Sequence, residues 1–128
     1  MTNSKKTYKV LVVEDNKLNQ MIIMNKLKNN NHSVDNANNG AEGVKLHLEN
    51  NYDFVLMDIM MPIMDGYDAT KGIRNSNKHN DIPIIANTAN VLDHDQQRCL
   101  STGMNAYLSK PFDFDELREI LASLGFNI

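Results

Sequence analysis

Five side chains in this sequence have types and positions suited to group transfer: Glu14, Asp15, Asp58, Thr88 and Lys110. Each stands at or just beyond the carboxyl end of an apolar run. Three carboxylates brought to one place repel one another, and one could protonate instead of ionising. A divalent cation removes that conflict. Oxygen ligands without His or Cys point to Mg²⁺, with Mn²⁺ as a substitute. A hard cation beside an ammonium and a hydroxyl suits a phosphoryl group in transfer, since each neutralises or hydrogen-bonds one of its oxygens. One carboxylate is then free to act as the nucleophile and form an acyl phosphate. Asp58, central between the acidic pair and Lys110, is the best candidate.

The elements that must position these groups follow from the hydropathy pattern. Strand-like and helix-like segments alternate five times. Strands are expected at about 8–13, 33–37, 54–58, 82–87 and 106–109. Helices are expected at about 16–30, 40–50, 65–75, 91–102 and 113–124. The first run, Tyr8-Lys9-Val10-Leu11-Val12-Val13, is nearly continuous in apolar residues, as a strand buried on both faces is. Leu18, Ile22, Ile23 and Leu27 are expected on the inner side of the first helix, and Ala41, Val44 and Leu48 on that of the second. Gly43 weakens the second helix by about 1 kcal/mol relative to Ala. In the last helix Leu117, Ile120, Leu121 and Leu124 recur at i, i+3, i+4, i+7 behind a capping-box-like Asp113 and Glu116. Such alternation predicts a parallel sheet with helices on both faces and right-handed crossovers. Ligands then bind beyond the carboxyl ends of the strands, where the five residues stand.

Composition limits the alternatives. With 128 residues the chain fits one domain, 1–128, with a core at about 8–124 behind a polar lead at 1–7. Its net charge of −3 argues against electrostatic nucleic-acid binding. A single cysteine, Cys99, excludes an internal disulfide and a multi-cysteine zinc site. Apolar runs fall far short of the roughly 20 residues a membrane span needs, and the N-terminus lacks a signal-peptide pattern, so a cytoplasmic protein is expected. The polar lead favours a stand-alone protein.

The motifs Val12-Val13-Glu14-Asp15-Asn16-Lys17-Leu18-Asn19-Gln20, Leu56-Met57-Asp58-Ile59-Met60-Met61-Pro62-Ile63-Met64-Asp65-Gly66, Pro83-Ile84-Ile85-Ala86-Asn87-Thr88-Ala89-Asn90 and Tyr107-Leu108-Ser109-Lys110-Pro111-Phe112 resemble, in order and spacing, the receiver domain of two-component response regulators. The wording is especially similar to the receivers of hybrid sensor kinases. The resemblance implies a flavodoxin-like (βα)5 three-layer sandwich with strand order 2-1-3-4-5. It implies that Asp58 accepts a phosphoryl group from the phosphohistidine of a histidine kinase or histidine phosphotransfer protein. Glu14 (largely through water), Asp15, Asp58 and the Met60 backbone carbonyl would hold Mg²⁺, and Lys110 would pair with the phosphoryl oxygens. Thr88 would move toward the phosphate and Tyr107 would rotate inward, reshaping the face formed by the fourth helix, fifth strand and fifth helix for a downstream protein partner. The Lys110–Pro111 peptide is expected to be cis. Ala89 leaves access to the phosphoryl group. Asn87 stands where relatives carry an apolar residue. Met60 and Asn90 offer no base for attacking water, so no enhanced self-dephosphorylation is expected.

Three other functions fit the residues less well. A haloacid-dehalogenase-like phosphatase needs a second Asp two residues after its nucleophile, and Met60 stands there. A flavin carrier needs a Ser/Thr/Gly-rich phosphate loop after the first strand, where Glu14-Asp15 puts repulsion. A degenerate receiver, binding a partner constitutively, conflicts with the complete acidic, hydroxyl and lysine set. A receiver excised from a hybrid kinase is the alternative within the leading reading; in either case the chain is a phosphorylatable signalling domain, not a turnover enzyme. His32, His47, His79 and His94 are expected as surface or packing residues, and Cys99 as a buried hydrophobe. Met57, Met60, Met61 and Met64 fit core and loop packing better than a soft partner surface. A polar fourth-helix face (Asp93, His94, Asp95, Gln96, Gln97) predicts a monomer without phosphate.

Overall fold

The computed structural model describes residues 6–89 and 93–127, excluding the side chains of Asp93 and His94. The expected helix start near Val91, Asn90 and the first five residues of the polar lead lie outside the described residues.

Five strands and five helices alternate: β1 Lys9–Val13, α1 Lys17–Lys28, β2 Ser33–Ala37, α2 Gly40–Glu49, β3 Phe54–Met57, α3 Gly66–Arg74, β4 Ile84–Thr88, α4 Asp93–Thr102, β5 Ala106–Ser109 and α5 Phe114–Ser123. The sheet is wholly parallel in the order β2-β1-β3-β4-β5. Alternate residues of its central strands enter two cores. Leu11, Val13, Val55, Met57, Ile84 and Ala86 pack on one face with Tyr67 and Ile73 of α3 and Cys99 of α4. Val10, Val12, Phe54, Leu56 and Ile85 pack on the other with Ile23 and Leu27 of α1 and Leu117 and Leu121 of α5. Both faces being covered explains the unbroken apolar runs.

Local chemistry sets the element ends. Asn16, Asn39, Asp65 and Asp113 cap α1, α2, α3 and α5, accepting from the backbone N–H groups of Asn19, Glu42, Asp68 and Asp115. β4 begins at Ile84, later than the expected residue 82, because Pro83 has no N–H for the ladder and contributes only its carbonyl, to Val55 N–H. β3 ends at Met57, though the Asp58 N–H still bonds to Val13 O at 2.9 Å.

The inner faces of two helices differ from expectation. On α1 the buried residues are Gln20, Ile23 and Leu27, while Leu18 is 63% and Ile22 39% exposed. Gln20 turns inward because its amide bonds to Glu14 O and Asn38 Oδ1. At about 100° per residue, Leu18 and Ile22 then fall on the far side. On α2 the buried residues are Gly40, Gly43 and His47; Ala41 and Leu48 are exposed and Val44 is half-buried. Gly43 is where α2 touches β1: a Cβ there would lie 2.9 Å from Val13 Cγ2. In α5 Leu117 and Leu121 are buried and Ile120 and Leu124 half-buried, as expected.

Among the histidines, His32 and His47 pack inside and His79 is half-exposed. The His47 Nε2–H donates to Lys78 O at 2.7 Å. Cys99 is buried. Met57 is core and Met61 and Met64 pack against it, but Met60 is 77% exposed.

Candidate functional site

β1 and β3 lie side by side with Val13 opposite Met57, so the residues that follow them, Glu14-Asp15 and Asp58, emerge together. A carboxylate oxygen from each of the three lies within 4.8 Å of the others. Glu14 and Asp58 are buried and Asp15 is exposed. Lys110 enters from the end of β5; its Nζ is 2.6 Å from Glu14 Oε1 and 3.3 Å from Asp58 Oδ1. One ammonium against three carboxylates leaves up to two negative charges at the strand tips. Burial and then the Glu14 charge push the Asp58 carboxyl up to about 6, against the pull of Lys110, with Asp15 adding to the rise.

Each group is fixed from behind. The Asn16 N–H donates to Glu14 Oε2 at 3.0 Å, and Gln20 Nε2 donates to Glu14 O at 2.7 Å. The Glu14 N–H extends the ladder to Ala37 O. Gly66 lets α3 start directly behind Asp58, since a Cβ there would lie 2.2 Å from Asp58 O. Lys110 N–H bonds to Thr88 O at 2.8 Å, which locks the β4 and β5 tips together. The Lys110–Pro111 peptide is cis, as expected. Thr88 is buried at the end of β4, and Ala89 after it is exposed. Tyr107, half-buried on β5 opposite Ala86, packs against the α3–α4 core. Met60 follows Asp58 by two residues in an exposed loop.

Gln20, Asn36 and Asn38 join the site without a signal in the strand-end pattern. Gln20 spans Glu14 O and Asn38 Oδ1, and Asn36 Nδ2 reaches the same carbonyl at 3.4 Å. A polar residue on the inner arc of α1 was the available signal. Asn87 is 2% exposed, and its Oδ1 has no hydrogen-bond partner among the described residues.

The family model for the response regulator receiver domain matches residues 10–122. This chain belongs to that family. It is a receiver domain of the two-component type. It is 41% identical over 125 residues to hybrid signal transduction histidine kinase B of Dictyostelium discoideum, covering 89% of this chain and 6% of that protein. It is 37% identical over 139 residues to histidine kinase 5 of Arabidopsis thaliana, covering 88% and 15%. The chain therefore spans only a small part of these relatives. Among solved structures, the receiver domain of a sensor histidine kinase from Pseudomonas aeruginosa PAO1 is 41% identical with a TM-score of 0.84, covering 92% of this chain and 97% of that one; it has magnesium coordinated in its active-site cleft. A co-crystal of the Saccharomyces cerevisiae histidine phosphotransfer protein Ypd1 with the receiver domain of its downstream response regulator Ssk1 matches with a TM-score of 0.85, at 29% identity over 96% of this chain and 92% of that one. Among the described residues, no helix is long and apolar enough to cross a membrane.

Proposed function

We propose that Asp58 is the phosphoacceptor of this receiver and that the donor is a phosphohistidine on a histidine kinase or histidine phosphotransfer protein. The observation that carries this is a buried carboxylate at a strand tip, with the Lys110 ammonium bridging it to Glu14. An Asp58 oxygen attacks phosphorus, the P–N bond breaks, and its electron pair returns to the departing imidazole. The product is an acyl phosphate on Asp58. The chain thus promotes only its own phosphorylation and the loss of that group, in the cytoplasm.

The donor set fits a hard divalent cation, Mg²⁺ or Mn²⁺. Oxygens of Glu14, Asp15 and Asp58 converge within 4.8 Å with net negative charge, and no nitrogen or sulfur ligand is among them. Those three side chains and the Met60 carbonyl would hold the ion, which supplies positive charge against the phosphoryl oxygens. Lys110 turns from Glu14 to a phosphoryl oxygen. The Thr88 hydroxyl donates to another. Tyr107 follows Thr88 inward, and the α4–β5–α5 face changes shape for a protein partner. Met60 presents no base to water, so the acyl phosphate is not specially short-lived. The similarity to hybrid kinases supports a phosphorelay role, either as a regulator acting alone or as the receiver of a hybrid kinase.

Incubation with acetyl phosphate and Mg²⁺, followed by intact-mass spectrometry, tests this. One added phosphoryl mass is expected, absent without Mg²⁺ and absent in Asp58→Asn. Labelling of Asp58→Asn at the wild-type level overturns the assignment.

A further inference from the structure

At the far end of α1 from Asp15, about 18 Å along a helix of this length, lies a second polar cavity of about 170 Å³, lined in part by Lys6, His32, Phe114 and Arg118. It lies apart from the acidic site and shares no residue with it.

Its deepest polar group is His32, 5% exposed. The ring stacks between Tyr8, at 5.9 Å, and Phe114, at 6.3 Å. Nδ1 accepts the Tyr8 N–H at 3.0 Å. Burial lowers the His32 pKa, so the ring is neutral at pH 7. A neutral ring whose Nδ1 accepts must carry its hydrogen on Nε2. That N–H has no acceptor among the described residues. The adjoining Arg118 is only partly used. Its Nη1 is 2.6 Å from Asp115 Oδ1 and its guanidinium lies over Phe114 at 5.1 Å, and its Nη2 has no acceptor among the described residues. Lys6 also lines the cavity, its backbone anchored by an N–H bond to Asn127 O. Two cations against Asp115 leave a net positive charge. A nearly buried imidazole and two cationic side chains therefore line one small space.

We propose that this cavity binds a small phosphate-bearing ligand, with His32 Nε2–H, Arg118 and Lys6 each donating to a different oxygen. Guanidinium and ammonium recognise phosphate by charge-assisted hydrogen bonds. The buried imidazole adds a neutral donor of fixed direction. With a water occupying about 30 Å³ of liquid, the space holds roughly five or six waters, enough for inorganic phosphate. The ligand would bridge α1 and α5, so its occupancy would bear on one element of the α4–β5–α5 face. The site does not depend on phosphorylation of Asp58.

The test is a titration of the full chain with inorganic phosphate, without Mg²⁺ and at constant ionic strength, followed through the His32 imidazole resonances. A saturable shift is expected, equally strong in Asp58→Asn and weakened about tenfold in Arg118→Gln and Lys6→Gln, as loss of one charge-assisted bond requires. A shift that stays linear in phosphate, or that chloride reproduces at matched ionic strength, overturns the proposal. So does full-strength binding in both variants. If Arg118→Gln unfolds the chain by circular dichroism, Lys6→Gln alone decides.

Discussion

The Lys110 ammonium stands closer to Glu14, at 2.6 Å, than the 3.3 Å that separates it from Asp58. Glu14 is 1% exposed at its side chain and Lys110 16%, so the pair is desolvated and each charge depends on the other. Replacing Lys110 with Met leaves Glu14 a buried anion beside two more carboxylates. Lys110→Met is expected to cost about 2–4 kcal/mol in metal-free urea unfolding. Glu14→Gln in the same background is expected to recover at least about 1 kcal/mol of that. Additive losses in the double variant would show that the two groups do not couple.

The crowding at Asp58 gives a pH signature. Its carboxyl is pushed up to about 6 by burial and then by Glu14, whereas an unfolded aspartate titrates near 3.8. An acid whose pKa is raised on folding adds stability below the unfolded value and loses it as pH rises through the folded one. Metal-free protein is therefore expected to lose about 1–3 kcal/mol between pH 4 and pH 6 on account of this one group. Asp58→Asn removes that part of the slope. The measurement is the difference between wild-type and Asp58→Asn unfolding free energies across the window. A difference that is flat with pH, or Asp58→Asn being much less stable at pH 7, would contradict the repulsion.

Much of this site was legible because it is built from strand ends. Where an unbroken apolar run stops, the next polar residue must emerge at the sheet edge, and parallel order sends those edges one way. Glu14, Asp15, Asp58, Thr88 and Lys110 all follow from that. The helix faces were less legible, for physical reasons tied to single residues. Gln20 is inward because its amide satisfies a buried carbonyl, a partner supplied by β1 and β2 and invisible within α1. His47 is inward because Lys78 O takes its Nε2–H. Gly43 is inward because it has no side chain. A hydropathy stripe registers none of these as core.

Gly43 can be tested against its apparent cost. By helix propensity alone, Gly43→Ala should stabilise by about 1 kcal/mol. The structure predicts the opposite sign. The added Cβ would meet Val13 Cγ2 at 2.9 Å and Cγ1 at 3.2 Å, and a β-branched side chain inside a buried strand has little freedom to turn away. Gly43→Ala is expected to lower stability by about 1–2 kcal/mol through overpacking. Combined with Val13→Ala, it should cost less than the sum of the two single changes. Stabilisation by Gly43→Ala alone would mean that α2 shifts freely away from β1.

Asn87 makes the last case, because here chemistry and burial disagree. It lies at the end of β4, 2% exposed, and its Oδ1 has no hydrogen-bond partner among the described residues. A buried, unpaired amide oxygen costs about 1–3 kcal/mol relative to a site where it is hydrated. Valine is close in volume, favours strands and brings no polar atom. Asn87→Val is therefore expected to raise the urea unfolding free energy by about 1 kcal/mol while acetyl phosphate still labels Asp58. The two readouts separate two roles. A stability gain with full labelling marks Asn87 as a strained packing residue. A stability loss would mean that its amide makes a bond worth more than the burial it spoils.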